Sequence, residues 1–373
     1  VKVKVRLGRP LTFPHVEKPS KSLASEVAAR IWPCVELQWE WLGGLPPLRK
    51  AAVIGAGSMG TGVAALLARA GLEVQLGSRS AEHAERMRAE RRNDDYLPGV
   101  ELPEGVTPTT IGDIELGGVD LVVFAVPASA LPAAVGSVGA RIGDRTAVLV
   151  LAKGLVPSLG KLPSDYVGER VDARAIAALG GPFHAGEAVS AGASAVLATT
   201  DDAFARQLGE ALTSASIDVE RSRDVVGVEL AGCAKNAATL AAAAASVSGE
   251  NAAGAAAARV FGEVERLALR MGADPETFRG LAGIGDLVAT ALAPHSRNRR
   301  AGEMIAQGVP ASEIRGRLGA TAEAVDTVPQ LARLCEEMRS DAPALLSLNA
   351  LVEGTIQPSR WIEDVRTGGR AAA

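Results

Sequence analysis

"KAAVIGAGSMGTGVAALLARAGLEVQLGSR", residues 50–79, is the stretch whose reading decides the fold. It opens on a short apolar run, passes through Gly55, Gly57 and Gly60, continues with helical spacing to Gly71, and closes on a second apolar run. A run into glycines, then a 3.6-residue period, then another run reads as a βαβ unit. At such a junction the first glycine allows the tight turn, the second lets backbone approach a pyrophosphate, and the third lets helix and strand pack closely. Phosphates then lie at the positive end of the helix. A glycine pattern alone is weak, but directly after a strand and opening a helix it marks a dinucleotide site; the alternative is a tight turn that holds no ligand.

The end of the second run bears on which dinucleotide is held. Sites for NAD(H) offer Asp or Glu there for the ribose hydroxyls, whereas a cation accommodates a 2′-phosphate. This chain offers Ser78 and Arg79 and no carboxylate. NADP(H) is favoured on that ground, with NAD(H) possible; the plainer alternative for Arg79 is a solvated helix start.

Working outward, apolar runs at 120–127, 146–154, 173–182 and 194–199 alternate with helical or turn segments. They extend the unit into a mainly parallel, doubly wound sheet. Beyond about residue 222 the strand signal stops, and helices are expected at 225–247, 250–271, a broken stretch over 275–292, then 297–307, 310–318, 322–338 and a final pair. The expected organisation is α/β: a Rossmann domain over 50–221, an all-helical domain over 222–366 and a loose tail over 367–373. Residues 1–49 carry Trp32, Trp39 and Trp41, several prolines and a basic start without a sustained period. They are expected to be an extension, tag or upstream translated stretch outside the main fold, or else an ordered arm along one edge of it.

Composition narrows the function classes. A net charge of −4 argues against general nucleic-acid binding while leaving room for a local basic patch around a small anion, and such a patch stands at 297–300. No stretch of about 20 apolar residues is uninterrupted and no leader pattern is present, so a cytoplasmic protein without membrane insertion is expected. Cys34, Cys233 and Cys335 are odd in number and widely spaced, with four histidines to accompany them. Reduced thiols and no metal are expected; His184 and His295 read as loop residues.

"GVELAGCAKNAATLAAAAASV", residues 227–247, is a helix of small residues with one lysine where alanine would pack better. At about 100° per residue, Glu229, Gly232, Lys235, Asn236, Thr239 and Ser246 share an arc of about 120°. A solvent face would carry many long charged side chains, and this stretch holds two charges. A lysine in a cleft among small residues can exchange a proton with a substrate oxygen. Residues 283–302, "GIGDLVATALAPHSRNRRAG", add Asp286 and then Ser296, Arg297 and Asn298. Ser296 can cap a helix whose free N–H groups, dipole and guanidinium converge on one anion, the alternative being a basic helix start on the surface.

Together "GAGSMGTGVA", "YLPGVELP", "FAVPASAL", "AKGL", "GVELAGCAKN", "GLAGIGDLVATA", "SRNRRAG" and "AEAVDTVPQL" resemble, in order and spacing over about residues 50–355, the bacterial-type NAD(P)-dependent glycerol-3-phosphate dehydrogenases. The resemblance implies a Rossmann domain, an all-helical domain, a site in the cleft between them and a homodimer. It implies reversible hydride transfer between NAD(P)H and dihydroxyacetone phosphate, a small phosphorylated substrate, giving sn-glycerol 3-phosphate for phospholipid synthesis. By the resemblance Lys235 is the acid/base; Lys153, Gly181, Asp286, Ser296, Arg297 and Asn298 bind substrate. Gly55, Gly57, Ser58, Met59, Gly60, Ser78, Arg79, Ala185 and Glu323 meet the cofactor, with Lys153 and Arg297 near it as well.

Three positions depart from the family's pattern. Gly181-Pro182-Phe183-His184-Ala185 stands where the family reads "GPSFA", Phe261 where an arginine is common, and "TAEAV" at 321–325 where "VVEG" is usual. The ring at 183 replaces a substrate-facing serine and is expected to reshape the pocket. A related reductase of another small anionic ketone, and an NADP-binding sensor without turnover, are the competing readings. A sensor needs the glycines but has no need of Lys153, Lys235 and Asp286 together.

Overall fold

The computed structural model describes residues 7–8, 10–18, 20–41, 46–293 and 296–367. The chain divides into two compact units, 1–48 and 49–373. The first contains helix α1 (Lys21–Trp41), which the sequence period did not announce because Pro33 interrupts it. Proline removes a backbone donor and clashes with the preceding turn. The loose tail expected at 367–373 lies outside the described residues from 368 onward.

The second unit is built on an eight-stranded sheet. Its strands are β1 (Lys50–Ile54), β2 (Glu73–Ser78), β3 (Val106–Thr110), β4 (Leu121–Phe124), β5 (Ala147–Val150), β6 (Ala175–Gly180), β7 (Ala193–Ala198) and β8 (Ile217–Ser222). Their order is β3-β2-β1-β4-β5-β6-β7-β8, with every pairing parallel except β6 with β7. The inner strands are continuous apolar runs because both faces of a parallel sheet are covered; all of Leu121–Phe124 and Ala147–Val150 is buried.

Two strands escaped the sequence reading, and both are edges. β3 contains Pro108, and β8 carries the exposed Asp218, Glu220 and Arg221. Edge strands tolerate proline and charge because one row of their backbone groups faces away from the sheet.

Six helices accompany the strands: α2 (Ser58–Arg69), α3 (Ala81–Glu90), α4 (Leu131–Val138), α5 (Pro163–Gly168), α6 (Ala185–Ala191) and α7 (Asp202–Ser214). After β8 the described chain is helical: α8 (Val225–Ala245), α9 (Glu250–Arg270), α10 (Pro275–Arg279), α11 (Asp286–Leu292), α12 (Arg297–Ala306), α13 (Ala311–Leu318), α14 (Glu323–Glu337), α15 (Pro343–Val352) and α16 (Pro358–Thr367). The break expected within 275–292 is a π-turn at Leu281–Gly285. Single π-turns recur at functional sites because they re-aim the side chains that follow; here Asp286 follows.

α8 is the axis of this helical part and is buried almost all round. Its alanines share a core with Ala178 of β6, Val196 and Ala198 of β7, and Val260, Val264 and Leu331 of α9 and α14. Small side chains allow that many neighbours to approach one helix, and close packing leaves few voids. No helix among the described residues is long and apolar enough to cross a membrane.

Candidate active site

The carboxyl ends of β1, β2, β4, β5 and β6 point the same way and carry, in turn, the 55–60 loop, Ser78 and Arg79, the 125–128 loop, Lys153 and Gly181. The strand order reverses between β1 and β4, and the crevice at such a switch point is where open α/β sheets hold ligands. Gly55 sits at φ +115°, and a Cβ on Gly60 would lie 1.8 Å from the Gly55 carbonyl oxygen, so neither accepts a side chain. A Cβ on Gly57 would meet nothing within 4 Å. The open face at Gly57, and a first turn of α2 capped by no side chain, leave backbone N–H groups for an anion. Ser58 and Met59, half-buried in that first turn, border the same space. These residues fit a dinucleotide pyrophosphate.

At the end of β2, Arg79 is exposed while Ser78 is buried. The Ser78 hydroxyl lies 3.0 Å from His83 Nδ1, and His83 Nε2 lies 2.9 Å from Asn93 Oδ1. Asn93 Nδ2 donates to the Ala56 carbonyl at 3.0 Å and to Thr61 Oγ1 at 2.7 Å. A carbonyl only accepts, so the Asn93 amide has one orientation and His83 carries its proton on Nε2. His83 and Asn93 thus tie the end of β2 to the glycine loop. Nothing in their spacing announced this, since the pairing runs through the loop at 91–105 rather than along a helix or strand.

Further along the edge, three charged groups meet. Lys153 Nζ stands 2.6 Å from Asp286 Oδ2 and donates to the Gly181 carbonyl at 3.0 Å. Lys235 Nζ stands 3.4 Å from Asp286 Oδ1 and donates to Thr290 Oγ1 at 3.1 Å. Asp286 is fully buried and Lys235 is 7% exposed. Burial pushes the Lys235 ammonium below the usual lysine range; Asp286 pulls it back up, and Lys153 pushes it down again. Burial by itself would raise the Asp286 carboxyl, but Lys153 and then Lys235 outweigh it and hold the group below the usual carboxylate range. One carboxylate therefore anchors two lysines, one of them poised to give up its proton.

The polar stripe of α8 is the template for this cluster. A Cβ on Gly232 would come within 3.3 Å of Lys153 Cγ, so the missing side chain seats Lys153 against the helix. Asn236 Nδ2 donates to the Lys153 carbonyl at 2.7 Å. Glu229 receives the Ser164 N–H at 2.9 Å and its hydroxyl at 2.6 Å, gripping the start of α5. The loop that carries Lys153 is thus fixed at both ends by one helix. Burial pushes the Glu229 carboxyl up to about 8, against the lowering effect of the Ser164 hydrogen bonds. Thr239 closes back on the Lys235 carbonyl at 2.7 Å.

The remaining expected residues are distributed around this centre. Ser296 caps α12, accepting from the Arg299 N–H at 3.4 Å, and Arg297 is exposed at the first helical position. Asn298 turns inward: its amide donates to Asn236 Oδ1 at 2.8 Å and accepts from the Ala324 N–H at 3.1 Å. Glu323 Oε1 accepts from the Ala128 N–H at 3.2 Å, so the altered 321–325 stretch still bridges α14 to the β4 end. Ala185 opens α6 and packs on α2 at Gly62. Gly181, at φ +93°, presents its carbonyl to Lys153.

Phe183 is 2% exposed, so its ring fills protein interior and offers almost no surface to a ligand. Phe261 lies edge-on to Phe278 with ring centroids 5.6 Å apart, inside the helical core. His184, expected as a plain loop residue, occupies the N-cap position of α6. His295 lies outside the described residues. Among the described residues no group of three or more His, Cys, Asp or Glu is placed to hold a metal ion.

Two family models match this chain: the N-terminal part of NAD-dependent glycerol-3-phosphate dehydrogenase over residues 50–205, and its C-terminal part over 224–363. A glycerol-3-phosphate dehydrogenase [NAD(P)+] of Shouchella clausii is 33% identical over 326 residues, covering 85% of this chain and 96% of that protein. One from Pseudomonas aeruginosa is 37% identical over 304 residues, covering 81% and 89%. The crystal structure of glycerol-3-phosphate dehydrogenase from Coxiella burnetii superimposes with a TM-score of 0.80 at 30% identity, covering 86% of this chain and 99% of that one.

Proposed function

The chain belongs to the NAD-dependent glycerol-3-phosphate dehydrogenase family, and we propose that it catalyses reversible hydride transfer between NAD(P)H and dihydroxyacetone phosphate, giving sn-glycerol 3-phosphate. It is an NAD(P)-dependent oxidoreductase acting on a CH–OH group. The observation that carries the reading is the convergence of Lys153 and Lys235 on the buried carboxylate of Asp286, at the carboxyl edge of a dinucleotide-binding sheet. A sensor without turnover has no use for that cluster.

The 55–60 loop and the start of α2 would hold the pyrophosphate of a dinucleotide whose nicotinamide would supply or accept the hydride. In reduction a proton must reach the carbonyl oxygen as it becomes an alkoxide, and Lys235 Nζ is the donor. Burial weakens the hold of Lys235 on its proton, and Asp286 keeps enough of the ammonium in place for the proton to be given up on demand. Thr290 fixes the amine's direction. Lys153, restrained by Asp286 and the Gly181 carbonyl, presents a second positive charge to the developing oxyanion. In oxidation the neutral Lys235 amine takes the hydroxyl proton. Ser296 and Arg297, at the start of α12, receive the phosphate through a guanidinium and helix N–H groups.

NADPH is the preferred cofactor in this reading because the exposed Arg79 ends β2 where a carboxylate would repel a 2′-phosphate. Action as a cytoplasmic homodimer completes the proposal. The test is oxidation of NADPH and NADH by the purified chain with dihydroxyacetone phosphate, repeated with Lys235→Ala. Substrate-dependent oxidation that falls at least about 100-fold in the variant is expected, since positioned acid/base groups contribute 10²–10⁴-fold. No turnover by the unmodified chain overturns the activity, and undiminished turnover in the variant overturns the role of Lys235.

A further inference from the structure

Where this chain departs from the family pattern it loses a hydroxyl at 183 and gains an imidazole at 184. The two side chains differ in burial. Phe183 is 2% exposed, whereas the His184 side chain is 34% exposed. The turn that separates them from Gly181 is closed by the Phe183 N–H on the Gly181 carbonyl at 2.8 Å, the same carbonyl that holds Lys153. The partly exposed His184 ring lies within reach of the charges of Lys235, Asp286 and Lys153, which puts it at the rim of the lysine cluster. Its ring makes no hydrogen bond among the described residues; its nearest charged partner is Glu187, with Oε2 4.0 Å from Nδ1.

We propose that His184 is a specificity-determining residue that hydrogen-bonds the free hydroxyl of the substrate, on the carbon next to the reacting carbonyl. The inference rests on the activity proposed above. A half-buried imidazole with unused nitrogens, next to groups that handle a carbonyl, is matched to a ligand that both donates and accepts. A neutral imidazole does both, as does an alcohol, whereas a phosphate only accepts. Burial lowers the affinity of the ring for a proton; Lys235 lowers it further, Asp286 opposes, and Lys153 adds to the lowering. The ring is accordingly neutral at physiological pH. The charged end of the substrate belongs to Arg297 and the start of α12, which leaves the hydroxyl end for His184.

The test compares dihydroxyacetone phosphate with its deoxy analogue, the methyl ketone phosphate, in NADPH oxidation by the full chain and by His184→Phe and His184→Asn. A site that pairs with a substrate hydroxyl discriminates against an analogue lacking it. For His184→Phe, kcat/KM on dihydroxyacetone phosphate is expected to fall roughly 10–100-fold, the cost of leaving the substrate hydroxyl unpaired in the site. On the deoxy analogue it should change less than about threefold, and KM for NADPH should hold. Asparagine, which also donates and accepts, should recover part of the loss. Equal losses on both substrates, or no loss on the first, overturn the inference while the proposed activity stands. An unmodified chain inactive on dihydroxyacetone phosphate takes both down.

Discussion

Replacing Asp286 by asparagine isolates the charge that holds the two lysines, because the amide keeps the shape of the carboxylate. At 2.6 Å from Lys153 and 3.4 Å from Lys235, with an effective dielectric near 20, the attractions are about 6 and 5 kcal/mol. Desolvation of all three groups offsets much of this, so breaking such a buried pair from one side costs about 3–5 kcal/mol. At 1.36 kcal/mol per tenfold, that is a loss of roughly 10²–10⁴ in kcat/KM if it falls on the reacting state. The sign with pH follows from Lys235. Burial already pushes its ammonium down, and the carboxylate is the strongest opposing influence. Without it the ammonium is pushed down further and less of it is left to protonate the alkoxide, so activity should recover in part as the pH is lowered. The assay is the pH profile of kcat/KM for ketone reduction in Asp286→Asn beside the unmodified chain. A loss under threefold, or a large loss with an unshifted profile, would mean that the Asp286 charge does not hold Lys235 for proton transfer.

Glu229 has a folded pKa of about 8 against 4.5 for the free group, so the folded state keeps a proton that the unfolded state releases. Its contribution is complete below about 4.5 and is lost as the pH rises through 8, a decline of about 5 kcal/mol. Glu229→Gln, which never ionises, should give a flatter melting temperature across that window; a curve as steep as that of the unmodified chain counts against this. Arg79→Glu should lower kcat/KM for NADPH roughly 10–100-fold, the worth of charged hydrogen bonds to a 2′-phosphate. NADH should be little affected, and a preference ratio that moves less than threefold would separate Arg79 from cofactor choice.

Much of this architecture was legible locally. The inner strands are unbroken apolar runs, Gly55 and Gly60 occupy positions that backbone geometry forces, and the polar stripe of α8 stood out against its alanines. What escaped lies where local pattern is weak. β3 and β8 are edges whose proline and charges carry no strand signal. β7 pairs antiparallel to β6, a strand direction that apolar spacing does not encode. His184 does lie outside helix and strand, just before α6, but the half-burial of its ring is not written in the residues around it.

The βαβ units and the succession of helices after 222 follow from the sequence, since each rests on interactions within a few residues; Lys235 and Asp286 stood out in their own stretches, and Lys153 was a candidate through the family resemblance alone. Only the tertiary structure decided that one carboxylate serves both lysines, because Lys153 and Asp286 are 133 residues apart and meet through the π-turn and the packing of α8 on the sheet. It also decided what the departures mean. Phe183 and Phe261 became interior packing, and His184 became a half-buried imidazole at the start of α6, since burial depends on what folds against a residue rather than on its own neighbours in the chain.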